Sequence, residues 1–173
     1  MEQLTARNIV AFATALAILV VVGFGVVIRG GANSATQAQD LVSIAQGFQK
    51  AFSNQSYQYG TATLAHAILV NSGKVDPNIV SAGTINSRWQ TAMVFTGATN
   101  SFTAALTGIP YNNCTDLLLD QSLAEYVSQI NVTTSGTGGT PATLTPPATP
   151  ADAAGACGSG GVTAFTITFL GHP

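Results

Sequence analysis

Twenty consecutive residues, Ile9 to Ile28 (IVAFATALAILVVVGFGVVI), carry no charge and a single hydroxyl, Thr14. At a rise of ~1.5 Å per residue, a helix of this length covers ~30 Å, the hydrocarbon thickness of a bilayer. Arg7 stands just before the run and Arg29 just after it. A helix buried in a globular core would be shorter and would show a polar stripe, and this one shows none. A secretory signal fits less well. Its apolar stretch is usually ~7–15 residues long, and the leading MEQLTAR has no net positive charge. A chain with this segment must hide it in a membrane, in an assembly, or in both.

The rest of the composition points the same way. Only 7% of the 173 residues are charged while 46% are hydrophobic; an average soluble domain carries about 25% charged residues. Five Lys and Arg, scattered, against a net charge of -2 do not form the basic patch of a nucleic-acid binder. High apolar content argues against disorder.

Past the apolar run the pattern changes. Leu41, Ile44, Ala45, Phe48 and Phe52 recur at three- and four-residue spacing, with Gln37, Gln39, Asp40, Gln46 and Lys50 elsewhere on the wheel. No proline interrupts Met1 to Phe52. The spacing predicts one long helix, apolar all round in its first half and amphipathic in its second, which lies on a head. Gly23, Gly25, Gly30 and Gly31 cluster at the junction, beside β-branched Val20, Val21, Val22, Val26 and Val27. Each glycine costs roughly 1 kcal/mol of helix propensity relative to alanine. The junction reads as a bent or melted segment, or as a membrane helix that tolerates glycine.

In the head, the pattern predicts a short helix over Thr61 to Asn71, an irregular stretch over Lys74 to Gly83, and a hairpin of strands Thr91 to Thr96 and Ser101 to Leu106. A helix over Tyr111 to Glu125 follows, with Asn112 or Asn113 as N-cap and Asp116 in its first turn. Tyr126 to Thr133 and Val162 to Leu170 alternate as half-buried antiparallel strands. Thr134 to Gly161, rich in Pro, Thr and Gly, reads as a long exposed loop with no chemistry of its own. Trp89 reads as a core anchor. The fold class is α+β, with residues 1–31 as a hydrophobic helix and 32–173 as the head.

Cys114 and Cys157, 43 positions apart, have no Cys or His neighbour at metal-ligand spacing. In a head outside a membrane they pair most simply as one disulfide; the alternative is two unrelated buried thiols. The two histidines, His66 in an apolar helix and His172 near the C-terminus, form no triad with Ser and Asp. No enzyme, cofactor or metal is expected.

The order of these parts resembles type IV pilins, and within them the type IVb class and the pilins of conjugative and related thin pili. The resemblance is carried by TQAQDLVSIAQGFQKAF ending at Phe52, LVNSGKVDPNIVSAGTINS before Trp89, FTAALTGIPYNNC ending at Cys114, and FTITFLGHP after Cys157. It covers most of the chain, and its specificity lies in the order of the segments. One departure is Thr5, where the family usually carries a glutamate at the fifth mature position; the early acid here is Glu2. Met1 is taken as the first residue after processing.

The resemblance implies a structural subunit held in the inner membrane and then extracted by the pilus assembly machinery into an extracellular helical polymer of itself. Glu2, Arg7, Ile9, Phe12, Leu16, Leu19 and Phe24 would build the filament core. Gly23, Gly25, Gly30 and Gly31 would let the helix melt there, and Cys114–Cys157 would staple a displayed C-terminal loop. Adhesion, conjugative DNA transfer or related surface functions, aggregation and motility among them, are the roles such filaments serve, with no direct binding of nucleic acid expected. The rival readings are a minor pilin or pseudopilin that primes assembly or binds a target, which Thr5 favours, and an unrelated single-pass membrane protein with an extracytoplasmic head.

Overall fold

A computed structural model describes residues 33–170, apart from Ala65, Lys74 and Asp76 and the side chains of His66, Val70 and Ser72. Residues 33–173 form one compact unit. Every expectation placed on residues 1–32 lies outside the described residues, as does the one on His172.

The first described element is helix α1, residues 33–52. Its stripe of Ala38, Leu41, Ile44, Ala45 and Phe48 is fully buried, as the three- and four-residue spacing requires. Phe48 is the hub. Its ring lies 5.4 Å from that of Phe95 and 4.9 Å from that of Phe102, both on the sheet. A fully buried phenylalanine contributes ~1.5–3 kcal/mol by burial, so this contact alone is a sizeable share of a marginal folding free energy.

The sheet is antiparallel and five-stranded, in the order β3-β4-β7-β5-β6. Its strands are β3 (Val94–Ala98), β4 (Ser101–Pro110), β5 (Val127–Thr134), β6 (Ala142–Leu144) and β7 (Val162–Leu170). The last strand, β7, sits in the middle. Period-two alternation sends one set of side chains inward. Ala104 pairs with Phe95 on one side and Ile167 on the other, and Ile167 pairs with Ile130. Phe102 opposes Phe169, their rings stacked 4.7 Å apart. The outward row is charge-free: Thr103 lies between Thr96 and Thr168, and Thr166 between Ala105 and Asn131.

Four expected elements differ from the observed ones. The helix expected from Thr61 is α2 (His66–Ser72) alone. Residues before it lie along the free edge of β3, where Leu64 N–H donates to Phe95 O at 2.9 Å and Gly97 N–H to Ala62 O at 3.0 Å. An unpaired edge offers backbone partners that a short helix of marginal propensity cannot match. The helix expected over Tyr111 to Glu125 is α3 (Tyr111–Leu118) followed by a 3-10 turn, Gln121–Leu123. Asp120 Oδ1 accepts from Ser122 N–H at 2.8 Å and starts that turn. Pro110 precedes α3 without a side-chain cap, so neither Asn112 nor Asn113 caps it, and its first turn holds no acid, so Asp116 lies deeper than expected. In the irregular stretch, β1 (Val80–Ser81) and β2 (Thr84–Ile85) form a small hairpin.

The fourth difference is the largest. The supposed loop from Thr134 to Gly161 contains β6 and helix α4 (Pro150–Cys157). Thr149 Oγ1 accepts from Asp152 N–H at 3.2 Å and donates to Asp152 Oδ2 at 2.6 Å, with Pro150 in the first turn. This is a threonine N-cap whose hydroxyl is held by the aspartate three residues on, followed by proline at the first helical position.

Candidate functional site: the helix face and the stapled lobe

Two features of the head are built from contacts between distant parts of the chain: the seat of α1 and the lobe closed by the disulfide. Three polar clamps hold α1 to the head. Asp40 on α1 receives a two-pronged ion pair from Arg88, with Nε–Oδ2 at 2.5 Å and Nη2–Oδ1 at 2.8 Å. Beside it, Gln37 Oε1 accepts from Arg88 main-chain N–H at 2.8 Å. Planar guanidinium and carboxylate fit each other in one orientation, so this contact fixes both position and angle. Near the start of the described helix, Asn113 Nδ2 donates to Ser34 Oγ at 2.9 Å, tying α1 to α3. Near its end, Gln49 Nε2 donates to Leu170 O at 3.1 Å and Gln46 Nε2 to Tyr126 Oη at 3.0 Å. Gln37, Asp40 and Gln49, polar positions off the apolar stripe, are nonetheless buried. Their partners lie 48 or more positions away, so no local pattern in the sequence announces them.

The second part is the lobe closed by Cys114–Cys157. The two cysteines, fully buried on α3 and α4, form a disulfide with Cα atoms 5.9 Å apart. Of the alternatives left open by the sequence, pairing is what the structure shows. Next to it two glycine-rich strips interlock through their backbones. Gly136 N–H donates to Cys157 O at 3.1 Å, Thr137 N–H to Gly160 O at 2.6 Å, Thr140 N–H to Gly155 O at 3.0 Å and Ser159 N–H to Thr137 O at 2.8 Å. A Cβ on Gly136 would overlap the Gly160 carbonyl oxygen, and one on Gly158, at φ +75°, would meet Gly139 N at 2.5 Å. Glycine is here a requirement of close packing.

Tyr59 lies in the aromatic cluster, its ring 4.9 Å from Phe52 and 5.2 Å from Phe102. Burial, with a smaller contribution from Tyr57, pushes its hydroxyl up to about 12 from 10.0. Trp89 is half-buried against the core, and its indole N–H is buried without a hydrogen-bond partner among the described residues. Also among the described residues, no cluster of three His, Cys, Asp or Glu side chains could hold a metal ion, and no helix is long and apolar enough to cross a membrane. The run from Ile9 to Ile28 lies outside them, as do Glu2, Arg7, Phe12, Leu16, Leu19, Phe24, Gly23, Gly25, Gly30 and Gly31.

A helix laid on an antiparallel sheet, with its last strand central and a disulfide closing a C-terminal lobe, is the head of a type IV pilin. The crystal structure of TcpA, a type IV pilin from Vibrio cholerae El Tor biotype, is similar, with a TM-score of 0.54 over 79% of this chain and 98% of that one. At 17% identity that likeness speaks to fold. It is consistent with the type IVb class. Comparison with curated protein sequences gave no match. Residues 31–171 match the family described as PilS N terminal, and the chain belongs to that family.

Proposed function

We propose that this pilin is the repeating subunit of a surface filament and polymerises through its N-terminal helix. The single observation that carries this reading is the clamped helix: α1 is anchored to the head at three separate places along its described length. A helix that only tethers a head to a membrane needs no such fixation. One that transmits tension from copy to copy does.

On this reading residues 1–31 act as a separate part. They sit in the inner membrane before assembly and are then drawn by the assembly machinery into the filament core. Glu2 and Arg7 meet neighbouring copies there, because burying either one unpaired would cost several kcal/mol. Ile9, Phe12, Leu16, Leu19 and Phe24 pack the axis. Gly23, Gly25, Gly30 and Gly31 let the helix open between residues 20 and 31. Contacts of this kind are heterologous and do not close, which is the geometry of a filament. Adhesion and conjugative transfer are the uses the reading favours.

The test is electron microscopy of sheared surface material, with mass spectrometry of its main band. Filaments composed chiefly of this chain are expected. Filaments that contain it only in traces would make it a minor, priming subunit. No filaments at all, with the chain retained in the membrane, would overturn the reading.

A further inference from the structure

Among the described residues the basic side chains are Arg88 and Lys50. Arg88 is paired with Asp40. Lys50 is exposed near the end of α1 and has no carboxylate within ion-pair distance among the described residues. It stands between two adjoining open depressions. One, of about 410 Å³, is lined by Lys50, Ala51, Ile68 and Asn71. The other, of about 420 Å³, is lined by Gln46, Gln49, Lys50, Ser53, Tyr57 and Tyr126.

The second depression is prepared in a way that an accidental surface dip is not. Gln49 is only 7% exposed, and its Nε2 is committed to the Leu170 carbonyl at 3.1 Å. Its Oε1 is therefore the atom left for an incoming donor. Gln46 and Tyr126 fix each other through a 3.0 Å hydrogen bond, and Ser53 Oγ donates to Lys50 O at 2.9 Å. The side chains of Gln46, Gln49, Ser53 and Tyr126 are thus already held where they line the depression, which lowers the cost of binding, and exposed Lys50 and half-buried Tyr57 complete its lining.

This donor and acceptor set suits a sugar. Vicinal hydroxyls both donate and accept, as fixed amides and phenols require, and ring C–H faces lie against aromatic rings. The depression is open, and its volume of about 420 Å³ falls at the lower end of the range for small-molecule sites. A peptide would need an apolar anchor pocket, and a nucleic acid would need more than one cation. We propose that this groove binds an acidic oligosaccharide. Lys50 pairs with the sugar carboxylate, Gln46 and Gln49 receive hydroxyl hydrogens, and Tyr57 and Tyr126 support the rings. The site belongs to a single head and does not depend on polymerisation.

The test uses the full-length chain in detergent micelles, titrated with sialyllactose and with a galacturonic acid trisaccharide, with lactose as the neutral control. Saturation-transfer NMR and calorimetry read the binding. Both acidic sugars should bind saturably, and lactose about ten-fold more weakly, the worth of one charge-assisted hydrogen bond. Lys50→Gln, an exposed change that leaves the melting curve in place, should bring the acidic sugars down to the lactose level. Tyr126→Leu should weaken all three. Failure of both acidic sugars to bind, equal binding of lactose, or wild-type affinity in Lys50→Gln would each overturn the proposal.

Discussion

Replacing Cys114 and Cys157 together by alanine removes a cross-link between positions 43 apart. Chain-entropy loss for a loop of that length gives ~4 kcal/mol of stabilisation at 25 °C. Both sulfurs are fully buried, so changing both avoids leaving one thiol without its partner. The folded unit spans residues 33–173. At ~2.1 cal/mol/K of unfolding entropy per residue, its melting entropy is ~300 cal/mol/K, and ~4 kcal/mol becomes a fall in Tm of ~13 °C.

The loss should be local first. The interlocked strips around Gly136 and Gly158 are held by backbone bonds that the disulfide keeps in register. Hydrogen exchange should therefore quicken at Gly136, Thr137, Thr140 and Ser159 before it changes in β4 or β7. Circular dichroism melts of the full-length chain in detergent, with and without the substitutions, measure the first effect, and exchange mass spectrometry the second. A Tm shift below ~4 °C, or exchange that rises evenly over the whole sheet, would refute the view that the disulfide holds this lobe.

Asp40→Ala strands the Arg88 guanidinium at a partly buried site and should cost about 2–3 kcal/mol in chemical denaturation, with Asp40→Asn costing less. An effect no larger than that of exposed Glu125→Gln would remove the clamp from the account. Gly97→Ala would place a Cβ against the Tyr59 carbonyl oxygen; it should free residues 59–64 from the β3 edge, seen as faster exchange at Leu64, and destabilise by about 1–3 kcal/mol. Tyr59, raised to about 12, is held neutral by the fold. Its contribution is therefore complete below pH 10 and fades as pH rises through 12. Tyrosinate absorbance should show a late-ionising phenol that disappears in Tyr59→Phe; loss of an ordinarily ionising phenol in that variant instead would contradict this.

What the sequence shows of this fold is what local repetition carries. The stripe from Leu41 to Phe48 is set by helical spacing, and the strand Val162 to Leu170 by two-residue alternation; both stand where their patterns place them. The cysteine pair was readable because a disulfide has few partners to choose from. The lobe from Thr134 to Gly161 was not, because α4 (PADAAGAC) is short, has almost no polar face and lies in a stretch whose Pro, Thr and Gly content imitates a loop. Its structure comes from the disulfide and from backbone bonds between strips some twenty residues apart. One signal was present, the Thr149-Pro150-Ala151-Asp152 start. The clamp between Asp40 and Arg88 had none, since an ion pair across 48 positions leaves no periodic mark.

The central claim is that the N-terminal helix, clamped to its head, is the element that joins copies. A cryo-electron reconstruction of the sheared filament at side-chain resolution tests it most directly. The account predicts residues 1–31 bundled at the axis, helix density broken between 20 and 31, and Asp40 still paired with Arg88 in every head. Heads joined to each other with their N-terminal segments away from the axis would contradict it.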